Sequence, residues 1–194
     1  MSRLALALLS FAVALGHAAA PGPAAPMLKA GVFEPPRGAP DFSLQGTDGR
    51  ELKMSRHRGK IVLLAFGYSS CQAVCPTTLA TFAEARRRLG AAASNVQVIY
   101  VTVDPERDDV AHLKNYLGNF DNTFIGGTGT ADQLSVVRKD YGISAQKIAA
   151  GDSYSYSHSS FTYLIDRAGK IRALMPYGHS PQDYVHDLTI LLAE

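Results

Sequence analysis

The sequence predicts an α/β sandwich in which helices flank a central mixed β-sheet, with a hairpin at the N-terminal end of the domain. Two continuous apolar runs, KIVLLAFGY at 60–68 and VQVIYVTVD at 96–104, are typical of central strands buried on both faces. Segments with helical spacing of apolar residues follow these runs. Strands that alternate with helices, followed by a terminal hairpin and helix, indicate this fold class.

Each predicted element has its own local signal. In the N-terminal hairpin, at 39–60, apolar and polar residues alternate and Asp48-Gly49 supplies the turn. The first helix follows Cys75, and Gly90 ends it. The later elements are helices at 107–117 and 131–142, strands at 159–166 and 171–176, and a last helix from Pro181 with Ser180 as its N-cap.

The composition indicates a globular chain and limits its partners. The chain has 194 residues, of which 46% are hydrophobic and 19% charged, enough for one domain with a sizeable core. The formal net charge of +2 is too weak a basic field to indicate nucleic-acid binding. We therefore expect no nucleic-acid partner.

The N-terminal residues are predicted to lie outside the folded domain. Residues 1–20 have the features of a signal peptide, with Arg3 followed by an apolar run from Leu4 to Leu15. An uncleaved anchor is the alternative, although a spanning helix needs about 20 apolar residues. Residues 21–39 form a Pro/Ala-rich linker that we expect to be extended, and the domain is expected over 40–194. In a bacterium, export places the domain in the periplasm, where disulfides persist.

The only two cysteines, Cys71 and Cys75, lie where the first buried strand meets its helix. The carboxyl end of a central strand is a frequent place for chemistry in α/β folds. A structural disulfide is one interpretation, although so short a loop gains little from being closed. Redox exchange is another, because a helix N-terminus lowers the pKa of a thiol, but dithiol redox motifs usually have two intervening residues rather than three. Metal binding is the third, because two thiolates favour soft ions such as Cu(I) or Zn.

The metal interpretation requires a third ligand, because two thiolates alone hold a metal weakly. His57 lies in a basic turn and is expected to be solvated, and His112 is expected at the surface of its helix. Three other histidines lie in the predicted signal or in the last turn and helix: His17, His179 and His186. His158 differs because it lies directly ahead of a predicted buried strand. A histidine in that position is more often a hydrogen-bonding loop residue than a ligand, and the need for a third ligand is what favours it.

Four stretches of the sequence together resemble one known family. In chain order they are PDFSLQGTDG, GKIVLLAFGYSSCQAVCP, YVTVDPERD and YSYSHSSFTYLID, and they extend over nearly all of residues 40–192. In combination they are similar to the Sco/SenC family of thioredoxin-like copper proteins. The combination is specific, whereas any one stretch alone is a weak signal. The resemblance implies a thioredoxin-like fold for the predicted α/β sandwich.

The resemblance also implies a site and a function. It implies that Cys71, Cys75 and His158 bind one copper ion, as Cu(I) or Cu(II), and that Asp104 lies near the ligands without being one of them. The implied function is a metallochaperone that delivers copper to the dinuclear copper centre of cytochrome c oxidase during assembly. The implied partners are the copper-bearing subunit of that oxidase and a periplasmic copper donor or thiol reductant.

One stretch of the sequence departs from the family pattern, and another is expected to be mobile. Gln72-Ala73-Val74 stands where many family members have Pro-Asp-Val, which removes an acidic residue but no ligand. The stretch 144–157 is rich in Ser and Ala, so we expect a mobile loop ahead of His158.

The alternative function is an enzyme, a periplasmic thiol–disulfide oxidoreductase in which Cys71 and Cys75 reduce the recipient's cysteines. A peroxide-reducing thiol enzyme shares the fold but commonly needs an activating Thr and Arg around a single attacking Cys.

Overall fold

The computed structural model describes residues 27–194. The strands are β1 (Gly31–Gly38), β2 (Leu44–Gly46), β3 (Glu51–Leu52), β4 (Ile61–Gly67), β5 (Val96–Thr102), β6 (Ile125–Thr128), β7 (Ala145–Ala150), β8 (Ser153–His158), β9 (Phe161–Ile165) and β10 (Lys170–Pro176). The α-helices are α1 (Val74–Leu89), α2 (Val110–Gly118), α3 (Ala131–Tyr141) and α4 (Pro181–Ala193). The predicted signal at 1–20 lies outside the described residues. Across 27–194, no helix combines the length and apolar composition needed to cross a membrane.

Eight strands form one mixed sheet in the order β1-β10-β9-β4-β5-β6-β2-β3. The strands β4, β5 and β6 run parallel to one another, and the other neighbours in this sheet are antiparallel. Because Gly67 pairs with Thr102 at the end of the β4–β5 register, the carboxyl ends of these strands share one edge. The mixed sheet confirms the predicted fold class, and pairing of Leu44 with Leu52 in β2–β3 confirms the predicted hairpin.

Helices cover both faces of the sheet. On one face, Tyr100 of β5 packs against Tyr116 of α2 with ring centroids 6.3 Å apart, and α1 packs against α4. Side chains alternate along a strand, so Phe66 of β4 points to the other face, where its ring lies 5.7 Å from that of Tyr141 in α3. Every residue of β4 and β5 is buried, as continuous apolar runs predict.

Local capping sets the helix boundaries. The helix α2 begins at Val110, three residues after the predicted start, because Asp109 is its N-cap and accepts a hydrogen bond from the His112 N–H at 2.7 Å. The last helix begins at Pro181 with Ser180 as its N-cap, which confirms the predicted start.

Part of the predicted linker belongs to the sheet. Strand β1 lies within the stretch 21–39 and pairs antiparallel with β10 at the sheet edge. The prediction that residues 31–38 belong to a linker outside the folded domain is therefore wrong. Proline is tolerated on an edge strand because its missing N–H is not needed there, and Pro35-Pro36 fall where the register shifts between Val32 and Arg37.

The serine-rich stretch at 144–157 also differs from its prediction. It forms a two-stranded hairpin, β7–β8, with six residue pairs from Ala145↔His158 to Ala150↔Ser153. The prediction of a loop is wrong because it rested on composition. Along β8, Tyr154 and Tyr156 alternate with serines, and that alternation is a strand signal.

Candidate metal centre

The two cysteines lie at the carboxyl edge of the sheet, between the end of β4 and the start of α1. The chain leaves β4 at Gly67, turns through 68–73 and enters α1 at Val74. Cys71 therefore lies in the turn and is partly exposed, whereas Cys75 lies in the first helical turn and is only 3% exposed. Both thiols are free, so no disulfide joins them in this structure.

The start of α1 makes the two thiols unequal. The Cys75 N–H donates a hydrogen bond to Cys71 Sγ at 3.5 Å. The pKa of Cys71 is lowered to about 4, chiefly by the hydrogen bond from the Cys75 side chain and further by backbone N–H groups of Cys75, Ala73 and Val74, against the opposing effect of partial burial. The pKa of Cys75 is raised, first because its proton is shared with Cys71 and second because it is buried. At neutral pH the pair therefore carries one negative charge, held on Cys71, and one proton, held on Cys75.

The imidazole of His158 reaches this pair from the other side. His158 is the last residue of β8, and its Nε2 lies 3.5 Å from Cys75 Sγ. Its Nδ1 lies 2.9 Å from the Ser159 carbonyl oxygen. A carbonyl oxygen can only accept, so Nδ1 carries a proton, and in the neutral ring Nε2 is then the unprotonated nitrogen that faces the sulfur. This is the tautomer that can bind a metal through Nε2.

Three ligand atoms thus converge from distant parts of the chain. The sulfurs of Cys71 and Cys75 and a ring nitrogen of His158 all lie within 4.8 Å of one another. Two thiolates and an imidazole form a soft donor set that suits Cu(I) or Zn and not hard ions such as Mg²⁺. A structural zinc site would normally have a fourth protein ligand. A three-ligand set leaves one side open.

Asp104 contacts the β7–β8 hairpin, which carries His158, and stabilises its position. It is fully buried, forms an ion pair with Arg107 and accepts a hydrogen bond from the Tyr154 hydroxyl at 2.9 Å. The Arg107 guanidinium lies over the Tyr154 ring, 3.8 Å from its centroid, and donates to the Tyr154 carbonyl oxygen at 3.2 Å. Asp104 is therefore not among the three converging residues, but it holds β8 against the end of β5.

Tyr68, the residue after β4, connects the cysteine turn to the same hairpin. Its hydroxyl accepts a hydrogen bond from the Tyr156 N–H at 3.2 Å. Its ring meets the His158 ring edge-on, with centroids 5.8 Å apart. The buried Tyr68 side chain thus orients the imidazole from one side, while the Ser159 carbonyl fixes its protonation from the other.

Asp108 holds the turn that leads to Cys71. Its side chain is fully buried and accepts hydrogen bonds from the Ser69 N–H at 3.0 Å, the Thr102 hydroxyl at 2.6 Å and the Ser69 hydroxyl. The neighbouring Asp109, not Asp108, is the N-cap of α2.

The site opens into a cavity of about 270 Å³ between α1 and the β9–β10 hairpin. Cys75 of α1, His158 of β8 and Tyr100 of β5 line it, together with Tyr177 and His179, which follow β10. A ligand group from another molecule can therefore approach Cys75 and His158 without displacing an element of the fold.

The other histidines among residues 27–194 lie outside the three-residue group. His112 is exposed on α2, as expected, and its Nε2 lies 3.0 Å from Ser69 Oγ. The expectation for His57 is wrong, because its ring is half-buried before β4 and its Nε2 has no hydrogen-bond partner among residues 27–194. Burial lowers the pKa of His57, so it is neutral at physiological pH.

Sequence reasoning missed the residues that position the ligands. Tyr68, Arg107 and Tyr154 were not singled out. The available signal was the density of aromatic residues near both ends of the site, in FGYSS and YSYSH.

Comparison with known proteins agrees with this fold and site. The SCO1/SenC family model matches residues 33–193. The SCO2-like protein RC0895 of Rickettsia conorii is 32% identical over 151 residues, covering 76% of this chain and 74% of that protein. The structure of Bradyrhizobium japonicum ScoI with copper bound is 33% identical, with a TM-score of 0.74 over 80% of this chain and 99% of that one. Yeast Sco1 with copper bound is 28% identical, with a TM-score of 0.71 over 79% of this chain and 87% of that one.

The fold and the converging thiol and imidazole groups define a thioredoxin-like α/β protein with a soft metal-binding group. The chain belongs to the SCO1/SenC family. Solved structures of this family hold copper, so copper is the metal that both the donor set and the relatives indicate.

Proposed function

We propose that this protein binds one copper ion through Cys71, Cys75 and His158 and delivers it to the dinuclear copper centre of cytochrome c oxidase during assembly. The observation that carries the proposal is the convergence of two sulfurs and one imidazole nitrogen within 4.8 Å. Cu(I) takes a trigonal set of this kind, and Cu(II) adds a water or another donor at the open side.

The protonation of the site supports metal exchange. Cys71 is already a thiolate at neutral pH, and a neutral His158 ring presents Nε2 as its unprotonated nitrogen, so copper binding then releases the proton on Cys75. Three protein ligands leave a position at which a recipient's ligand can enter. The cavity beside Cys75 and His158 provides the approach.

Membership of the family supports cytochrome c oxidase as the recipient, on its copper-bearing subunit. A periplasmic copper donor or thiol reductant would supply the metal or the reduced dithiol. Export to the periplasm is part of this proposal and rests on the sequence of residues 1–20.

Copper titration of the reduced protein, followed by absorption and electron spin resonance, tests the binding step. The expected result is one copper per chain and a thiolate-to-Cu(II) absorption band. His158→Ala should weaken Cu(II) binding by more than about 100-fold, because changing a residue behind the ligands alone costs about 10–100-fold. Equal copper affinity in the two proteins would refute the assignment of His158.

His57→Ala is the matched control. His57 precedes β4, whereas the site follows it, so the seven-residue strand separates them by roughly 20 Å. Copper binding by this variant should equal that of the wild type. A similar loss in both variants would mean that folding, not ligation, explains the effect.

A thiol–disulfide reductase is the second candidate, and the low pKa of Cys71 beside a protonated Cys75 favours it. In this reaction the Cys71 thiolate attacks a disulfide of the recipient and releases one recipient thiolate. Cys75 then loses its proton and attacks Cys71, which closes the Cys71–Cys75 disulfide and releases the second recipient thiolate, so two electrons pass to the recipient. Electron transfer of this kind needs no imidazole ligand.

Two variants separate the candidates. His158→Ala should bind Cu(II) far more weakly yet still reduce a disulfide peptide, whereas Cys71→Ser should lose both activities. A reduced wild-type protein that takes up no copper but reduces the peptide would leave the reductase as the function.

A further inference from the structure

A buried tyrosine hydroxyl lies behind Cys75, and the metal-binding group described above gives it no role. Tyr100, on β5, is 1% exposed, and its hydroxyl has no hydrogen-bond partner among residues 27–194. Buried polar groups are nearly always paired, so an orphaned hydroxyl at a functional site requires an explanation.

The hydroxyl stands next to the sulfur of Cys75, across Gly67. A Cβ atom placed on Gly67 would approach the Tyr100 hydroxyl oxygen at 2.2 Å and Cys75 Sγ at 2.8 Å. Both atoms therefore face the same small space, which is open only because residue 67 has no side chain. Tyr100 also lines the cavity that Cys75 and His158 share.

The two sulfurs have different surroundings. Cys71 Sγ accepts a hydrogen bond from the Cys75 N–H at the start of α1. Cys75 Sγ faces His158 Nε2 on one side and the Tyr100 hydroxyl on the other. A neutral thiol is a weak hydrogen-bond acceptor, whereas a thiolate is a strong one. Once Cys75 loses its proton to bind a metal, its sulfur becomes the acceptor that borders the same space as the Tyr100 O–H.

We propose that the Tyr100 hydroxyl donates a hydrogen bond to the Cys75 sulfur when copper is bound and thereby raises the preference of the site for Cu(I) over Cu(II). Hydrogen bonds around a cysteine ligand are known to tune copper potentials, because they draw electron density from the sulfur and weaken its donation to the oxidised metal. Tyr100 is thus a positioning and tuning residue, not a ligand. The inference rests on copper binding by Cys71, Cys75 and His158 and adds a fourth residue to the description of that site.

Tyr100→Phe tests this inference, because it removes one oxygen and retains the ring packing. The variant should still bind one copper per chain. Its thiolate-to-Cu(II) absorption band should move to longer wavelength, because a sulfur without the hydrogen bond donates more strongly. The ratio of Cu(I) to Cu(II) affinity should fall about tenfold, which equals about 60 mV in the potential of a one-electron couple. A merely structural role would alter the unfolding midpoint but not the band.

Tyr116→Phe is the matched control. Tyr116 packs against Tyr100, and its hydroxyl is also buried without a partner among the described residues. None of its atoms is among the three nearest to a Cβ placed on Gly67, and it does not line the cavity. Its absorption band and affinity ratio should equal those of the wild type.

The outcomes are distinguishable. If the wild type binds copper with a thiolate band and Tyr100→Phe changes neither the band nor the affinity ratio, the inference is wrong and the proposed copper site stands. If Tyr100→Phe and Tyr116→Phe shift the band equally, the effect arises from general loss of buried hydroxyls and the inference is again wrong. If the reduced wild type binds no copper, the proposed function fails and this inference fails with it.

Discussion

Replacing Asp108 should damage both the stability of the fold and the geometry of the cysteine turn. Its fully buried carboxylate accepts hydrogen bonds from the Ser69 N–H, the Ser69 hydroxyl and the Thr102 hydroxyl. In Asp108→Ala, the Ser69 N–H and the Thr102 hydroxyl lose a buried acceptor. Each such loss costs about 1–3 kcal/mol, so the free energy of unfolding should fall by about 2–6 kcal/mol.

Asp108→Asn should be much milder. The amide oxygen can keep the Ser69 N–H and Thr102 contacts, and the Ser69 hydroxyl can rotate to accept from the amide nitrogen. The loss is then the weakening of charge-assisted hydrogen bonds, about 1–2 kcal/mol. The predicted order of stability is wild type, then Asn, then Ala.

Urea unfolding of the reduced, metal-free protein measures these differences in stability. The rate of Cys71 alkylation measures whether the geometry of the cysteine turn has changed. Asp109→Ala is the matched control, because Asp109 is the neighbouring carboxylate and caps α2 instead. It should cost about 1 kcal/mol and leave Cys71 reactivity unchanged. Equal losses for Asp108→Ala and Asp108→Asn would refute the hydrogen-bond account of this turn.

Two further predictions follow from the cysteine pair and from the N-terminal segment. Alkylation of Cys71 should be almost independent of pH from 8 down to 5 and should fall below about pH 4, since its pKa is lowered to about 4 and only the thiolate reacts. In Cys75→Ser this fall should move to higher pH, and an unmoved profile would show that Cys75 does not set the Cys71 pKa. Asp187→Asn should lower the free energy of unfolding by about 1–2 kcal/mol and speed amide exchange at residues 29–30, whose N–H groups donate to the buried Asp187 carboxylate at 2.8 and 3.0 Å. Gln182→Ala, a change at an exposed position of the same helix, should leave exchange at those amides unchanged.

The sequence determines the central strands because their signals are local. Continuous apolar runs predicted β4 and β5, and the helix that follows Cys75 was predicted from its spacing and its terminal Gly90. Strand β6 was missed because IGGT is short and contains two glycines, so its pairing with β5 and β2 depends on its neighbours. The β7–β8 hairpin was missed because serine content concealed the alternation of Tyr154 and Tyr156.

The site was predictable in part. Cys71 and Cys75 were identified from their position at a strand end, but the approach of His158 could not be computed from a spacing of 82 residues. Only the family resemblance implied that His158 lies beside the two cysteines. The hydrogen bonds that hold His158 in place could not be predicted from the sequence. They join Asp104 with Tyr154 and Tyr68 with Tyr156, which are 50 and 88 positions apart.

X-ray absorption spectroscopy of the Cu(I)-loaded protein tests the central claim most directly, since it counts the atoms bound to the metal. The geometry of Cys71, Cys75 and His158 predicts two sulfur neighbours and one nitrogen neighbour for each copper. A spectrum with sulfur neighbours alone, or with nitrogen and oxygen neighbours alone, would contradict the account.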